Sequence, residues 1–280
     1  MPMILKKILV FAISTWINLL HRWSPSKAVQ LTYRFFSEPR KGNLKNQKIP
    51  AVLVNAEVKM IEWTTYIFPV YHWNNHQTES VMLVHGWESN AARWEPFLPI
   101  LKSKYNVFAI DAPAHGLATG KEFNAVLYAQ FIQKAQEVFP THYLIGHSVG
   151  GMASFYYAYQ NPTTHVQKMV LLGAPATLQK LVMNYANLLK LNPELLKDFE
   201  AFFVEKFNFK FHEFSLENFA PQVKIEGMIA HDVDDDVVLF EEAEKINRTW
   251  QQAFLHPTKG LGHSMQDEQL YAEVMGFLRK

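Results

Sequence analysis

Five short runs of almost unbroken apolar residues recur along the chain, and each is followed by a helical pattern. They are Ser80–Val84, Val107–Ile110, Tyr143–Ile145, Lys168–Leu172 and Lys224–Ala230. Side chains of a strand alternate between its two faces, so a strand that is apolar at successive positions must be buried on both. The helical stretches cover about Ala91–Ser103, Glu122–Phe139, Val149–Gln160, Val237–Asn247 and Met265–Leu278. Strands alternating with helices of this length imply an α/β fold: a mostly parallel central sheet with helices on both faces. Ala51–Val58 and Tyr66–Trp73 read as two earlier strands paired at one edge, and Ala253–His256 as a last, shorter one.

The composition can supply such a core. Of 280 residues 49% are hydrophobic and 19% charged, which suits one large domain with an insertion and argues against disorder. The formal net charge is +1, and the early basic residues (Lys6, Lys7, Arg22, Lys27, Arg34, Arg40, Lys41) are spread through an apolar segment. Nothing therefore steers the chain toward nucleic acid. The absence of cysteine excludes a disulfide framework, a thiol nucleophile and a Cys-based zinc site.

Three segments follow from these patterns: an N-terminal helical segment over 1–42, the α/β core over 43–175 and 222–280, and a helical cap insertion over 176–221. The apolar run Ile8–Leu20 is too short to span a bilayer, which takes about 20 residues. Three readings stay open for it: a helix packed on protein, an anchor at a membrane surface through residues 4–23, or a signal segment, although no small-residue cleavage site follows closely. The chain is expected to be cytoplasmic, with peripheral membrane association open; its oligomeric state is not predicted. The insertion breaks the strand–helix alternation. It contains Phe199, Phe202, Phe203, Phe207, Phe209, Phe211, Phe214 and Phe219, with Asn192-Pro193-Glu194 as a helix start. Rings at this density either pack the inserted helices or line an acyl pocket, for which Phe202, Phe203 and Phe207 are the candidates.

Chemistry enters at Gly146-His147-Ser148-Val149-Gly150, a G-x-S-x-G pattern followed by Gly151. It lies between a strand (His142–Ile145) and a helix (Met152–Ala158), at a sharp turn that would lift the Ser148 hydroxyl above the carboxyl ends of the strands. Small neighbours let strand and helix approach, and the turn aims the Val149 amide and the helix dipole at an oxyanion. A glycine-rich strand–helix turn with an incidental serine is the bland alternative.

The chain resembles the α/β-hydrolase superfamily from about Val52 to Lys280. His85-Gly86-Trp87 at a strand end resembles that family's H-G-x loop, which implies the Trp87 and Val149 amides as the oxyanion donors. Asp111-Ala-Pro-Ala-His115-Gly116 resembles its D-x-P-x-H-G segment, with Asp111 and His115 structural. Phe36-Ser-Glu-Pro39-Arg40 together with His85-Gly-Trp is similar to a bacterial-type subgroup of uncharacterised, esterase-like hydrolases. The family order of triad residues is Ser, Asp, His. Four aspartates compete in His231-Asp232-Val233-Asp234-Asp235-Asp236-Val237-Val238; the family's D-x-V-V habit selects Asp235, with Asp232 as runner-up and Asp236 as a cap of the next helix. A solvated acidic turn or a divalent-ion site is the bland reading, though the spacing does not fit an EF-hand loop. Gly262-His263, before the last helix, matches the family's G-H base.

The resemblance implies a carboxylesterase-like serine hydrolase acting on a small, apolar ester, with Ser148 as nucleophile, His263 as base, Asp235 as orienting acid and no cofactor or metal. C–C bond hydrolysis and perhydrolysis use the same serine, and a catalytically silent binding module is the rival from another class.

Overall fold

The structure is a computed structural model and describes residues 3–45, 47–73 and 76–279. The chain divides into two compact units, one formed by Met1–Glu38 with Thr177–Ser215, the other by Pro39–Ala176 with Leu216–Lys280. In chain order the helices are α1 (Met3–Trp23), α2 (Pro25–Ser37), α3 (Ala51–Val54), α4 (Leu98–Lys102), α5 (Ala125–Val138), α6 (Val149–Gln160), α7 (Leu178–Leu189), α8 (Pro193–Phe207), α9 (Leu216–Phe219), α10 (Phe240–Thr249) and α11 (Glu268–Arg279). The strands are β1 (Glu57–Trp63), β2 (Tyr66–Trp73), β3 (Ser80–Val84), β4 (Asn106–Ile110), β5 (Tyr143–His147), β6 (Lys168–Leu172), β7 (Glu226–Asp232) and β8 (Ala253–Thr258).

The larger unit is built on one eight-stranded sheet of order β1-β2-β4-β3-β5-β6-β7-β8. β1 pairs antiparallel with β2, and β2 with β4; every pairing from β4 to β8 is parallel. β3, β5 and β6 are buried at every position, as unbroken apolar runs require. One face (Val81, Leu83, Val107, Ala109, Tyr143, Ile145) packs on α4 and α11, where Phe97 stacks on Tyr271 at 4.2 Å. The opposite face carries α5, α6 and the turn after α10. There the Trp250 ring lies so close that a Cβ on Gly227 would sit 2.2 Å from it, which explains a glycine inside β7. The chain leaves β3 for β4 on one side and then crosses to β5 on the other. The order of strands reverses there, opening a crevice at the carboxyl ends of β3 and β5.

Several expected elements differ from the observed ones. Ala51–Val58 is not one strand: Pro50 opens the single helical turn α3, which buries Leu53, and β1 starts only at Glu57. Burial of Leu53 among Trp73, Trp94 and Phe97 outweighs the strand preference of its valines. The helix expected over Ala91–Ser103 is broken by Pro96 into a 3-10 turn, Ala91–Trp94, and the short α4. Asp236 does not cap the following helix, whose N-cap is Leu239. The last helix begins at Glu268 rather than Met265, because Met265 takes a left-handed φ of 51° and ends a 3-10 turn, Gly262–Ser264.

The smaller unit joins two stretches of sequence that lie far apart. Ile17 of α1 and Ala28, Val29 and Tyr33 of α2 are buried with Val182, Leu189, Phe199 and Phe203 of α7 and α8. Polar bonds stitch the same helices. The Ser14 hydroxyl donates to the Leu189 carbonyl, Asn192 N–H donates to Asn18 Oδ1 at 2.8 Å, and His21 bonds Asp198 at 2.8 Å. Residues 1–38 and 177–215 thus share one core, and residues 216–221 of the expected insertion belong to the larger unit, where Phe219 stacks on Tyr159. Among the described residues no helix is long and apolar enough to cross a membrane.

Candidate active site

Ser148 stands between β5 and α6 with φ 54° and ψ −129°, a conformation that costs a side-chain-bearing residue about 1–3 kcal/mol. The surrounding glycines make this turn sterically feasible. A Cβ on Gly146 would lie 2.5 Å from the Gly151 Cα, and one on Gly150 would lie 2.3 Å from the His85 carbonyl oxygen. Gly146 and Gly151 therefore let β5 and α6 touch, while Gly150 lets α6 meet the end of β3. Gly86 is equally confined, its Cβ position being 2.9 Å from the Ser148 Cβ. The Val149 amide opens α6, and Trp87 follows Gly86 in the loop beside Ser148.

His263 is the next residue to converge. Its Nε2 is 3.0 Å from Ser148 Oγ, and its Nδ1 is 2.8 Å from Asp235 Oδ2. A carboxylate can only accept, so Nδ1 carries the proton and Nε2 is the acceptor that faces the serine hydroxyl. Of the four aspartates, Asp234 and Asp236 are exposed, whereas Asp232 and Asp235 are buried. Asp235 Oδ1 also accepts the amides of Val237 and Val238 at 2.9 and 3.0 Å. Burial alone would raise its pKa, but the bonds from His263 and the two amides prevail and hold it below the usual carboxylate range. Asp232 is used differently: it accepts from Leu261 N–H at 2.9 Å, from the Thr258 hydroxyl at 2.8 Å and from Asp234 N–H at 3.0 Å. It ties the end of β7 to the loop that carries His263. Among the described residues no group of three or more His, Asp or Glu side chains could hold a metal ion.

A second set of buried polar residues shapes the loops around this trio. His85 Nε2 accepts the Ala112 amide at 2.9 Å, so its Nδ1–H donates to the Gly86 carbonyl at 2.8 Å. Carbonyl and amide of one trans peptide point in opposite directions, so this bond also sets where the Trp87 N–H points. His115 accepts the Glu88 amide at 2.9 Å, and Asp111 accepts the Ala91 amide at 2.9 Å and the Tyr71 hydroxyl at 2.8 Å. The segment read as structural therefore pins the Trp87 loop. His147, the residue before the serine, donates from Nε2 to the His263 carbonyl at 2.7 Å, and the Arg93 guanidinium donates to the Ser264 carbonyl at 2.8 Å. Burial pushes Arg93 down to about 10, which leaves it charged at neutral pH. Sequence reasoning passed over His147 and Arg93. His147 occupies a variable position of the motif, and nothing in the pattern around Arg93 links it to a loop 171 residues away.

These groups carry a pH signature. Burial keeps His85 and His147 well below the ordinary histidine range, lowers His231 and brings His115 to about 4, so all four are neutral in the fold. Below about pH 6.5 the unfolded chain takes up protons at these sites that the folded chain refuses, so stability falls with pH. Asp111 works in the opposite sense: burial raises it to about 6, and acidification favours its folded, protonated form. It offsets roughly His115 alone, at about 3 kcal/mol each, leaving three histidines to set the sign. The melting temperature is expected to drop steadily from pH 7 to pH 4.5; a flat profile in differential scanning fluorimetry would contradict this account.

The candidate pocket rings lie in the smaller unit. Phe203 is buried, with its ring 5.8 Å from Tyr33 and 4.9 Å from Phe211; Phe202 and Phe207 are half-buried at 5.0 and 6.3 Å from Tyr33. All three pack against Tyr33 of α2. A surface cavity of about 210 Å³ in the larger unit is bounded by Asn161, Gln167 and Lys224, at the amino ends of β6 and β7, away from Ser148.

Comparison with known proteins gives a consistent picture. A family model described as alpha/beta hydrolase fold matches residues 79–221. A protein of Drosophila melanogaster named "Probable serine hydrolase" is 28% identical over 107 residues, 35% of this chain and 31% of that protein. A pimeloyl-(acyl-carrier protein) methyl ester esterase of Legionella pneumophila (strain Lens) is 27% identical over 152 residues, 50% of this chain and 62% of that enzyme. The chain thus spans from about a third to three fifths of the length of these relatives. Among solved structures, mouse alpha/beta hydrolase domain-containing protein 10 superposes with a TM-score of 0.62 at 16% identity, over 80% of this chain and 97% of that chain, a likeness of fold.

Proposed function

We propose a function for a chain that belongs to the alpha/beta hydrolase fold family: it is a serine hydrolase that cleaves an ester, or a related acyl bond, of a small apolar substrate. The observation that carries the proposal is the unbroken relay from Ser148 through His263 to Asp235, at 3.0 and 2.8 Å. As Ser148 Oγ attacks the carbonyl carbon, His263 Nε2 takes its proton and Asp235 stabilises the imidazolium. The Trp87 and Val149 amides hold the oxyanion, the second reinforced by the dipole of α6. His263 then gives its proton to the departing alcohol, leaving an acyl group on Ser148. A water deprotonated by His263 releases the acid and restores the serine. No step draws on a cofactor.

An ester of an acyl group is supported by the likeness to the Legionella pimeloyl-(acyl-carrier protein) methyl ester esterase; the small, apolar character of the substrate is what the ester series tests. The test is a series of p-nitrophenyl esters of rising acyl length, run beside labelling with a fluorophosphonate probe. Hydrolysis that improves beyond acetate, with one covalent adduct at Ser148, is expected. Rates that fall steadily beyond acetate would remove the apolar acyl group. An unlabelled, inactive protein would favour a binding module built on the same fold.

A further inference from the structure

Helix α1 presents two apolar faces. One, with Ile17 and partly buried Val10, Ile13 and Leu20, is covered inside the smaller unit. The other runs along Leu5, Ile8, Leu9, Ala12, Trp16, Leu19 and Trp23, which lie within about 100° of one another around the helix, and it is exposed throughout. Trp16 and Trp23 of this stripe are 56 and 79% exposed, and Phe11 on its flank is 68% exposed. An apolar stripe of this length on a water-facing helix requires a cover.

Charge indicates which cover. Residues 1–38 contain Lys6, Lys7, Arg22, Lys27 and Arg34 against a single acid, Glu38, which pairs with Arg34 at 2.9 Å, whereas the whole chain has a formal net charge of only +1. The rest of the protein is therefore net negative, and the basic excess is shared by α1, which carries the stripe, and α2. Exposed Lys7 and Arg22 fall on the same flank of α1, with Phe11 and Thr15 between them, beside the stripe rather than within it. Apolar and indole side chains on one face, bordered by cations, suit the boundary between headgroups and acyl chains of an anionic bilayer. Bonds from Ser14, Asn18 and His21 hold the opposite face of the helix to α7 and α8, so the stripe stays turned outward.

We propose that α1 is an interfacial helix that lays this stripe on the surface of a membrane containing anionic phospholipid. The proposal is independent of the chemistry at Ser148, because it is read by binding and not by turnover. The full chain should co-sediment with phosphatidylcholine vesicles that contain phosphatidylserine and at least about tenfold less with vesicles of phosphatidylcholine alone. Its tryptophan emission should shift to the blue on binding, as Trp16 and Trp23 leave water. Ile8→Glu combined with Trp16→Glu should lower vesicle binding at least about tenfold with an unchanged circular dichroism spectrum, since both side chains are exposed. Ser148→Ala should bind as the unsubstituted protein does. Absence of binding to either vesicle, or binding that ignores both lipid charge and the double substitution, would overturn the proposal. So would a dimer in solution that the same double substitution dissolves, since a second copy would then cover the stripe.

Discussion

Replacing Ser148 with alanine is expected to lower kcat for ester hydrolysis about 10⁴-fold or more while leaving the fold intact. Nucleophile, base and acid act as one unit, so removing the nucleophile costs nearly as much as removing all three. The residue has a further signature. Its φ of 54° is strained for any side chain, and alanine retains the Cβ and hence the strain. Thermal stability of Ser148→Ala should therefore stay close to that of the unsubstituted protein, whereas glycine, which tolerates positive φ, should raise it by up to about 1 kcal/mol. Residual turnover in Ser148→Ala within tenfold of the original would remove the serine from the mechanism, and adduct formation with a fluorophosphonate at another residue would point to the replacement.

Asp235→Asn is expected to cost about 10³- to 10⁴-fold in kcat, and the reason lies in its hydrogen bonds. Oδ1 accepts two backbone amides, from Val237 and Val238, and Oδ2 accepts from His263. An asparagine must keep its oxygen on the two amides, so its NH₂ would face His263 Nδ1. That nitrogen would then have to accept, placing the imidazole proton on Nε2, where it could no longer take the serine proton. Asp232→Ala should behave differently. It removes the bonds to Leu261 and Thr258 that anchor the His263 loop, so it should lower the melting temperature, at about 1–3 kcal/mol, and reduce kcat much less than Asp235→Asn. A rate for Asp235→Asn close to that of the original protein would transfer the acid to Asp232.

The two predictions differ in how far the sequence supports them. Ser148 was legible because an elbow demands glycines at Gly146 and Gly150, and both meet backbone atoms that would collide with a Cβ. His263 was legible because its loop follows β8 with Gly260 and Gly262, whose φ values of 82° and 57° need glycine. Asp235 was only selected, from four neighbours with the same chemistry. What separates it from Asp232 is which carboxylate faces the imidazole, a matter of a few ångströms across the end of the sheet.

Local pattern alone therefore determined the alternation of strand and helix, the parallel sheet and the elbow, since each depends on residues within one turn or one strand of each other. Tertiary structure decided the remainder. It joined residues 1–38 to 177–215 in one core, because the apolar face of α1 and α2 finds its complement only in α7 and α8. It turned Phe203 inward toward Tyr33, and it made His85, Asp111, His115 and His147 the supports of two loops through bonds spanning up to 116 positions. Periodicity records which face of a segment is apolar, and only the folded chain specifies what that face meets.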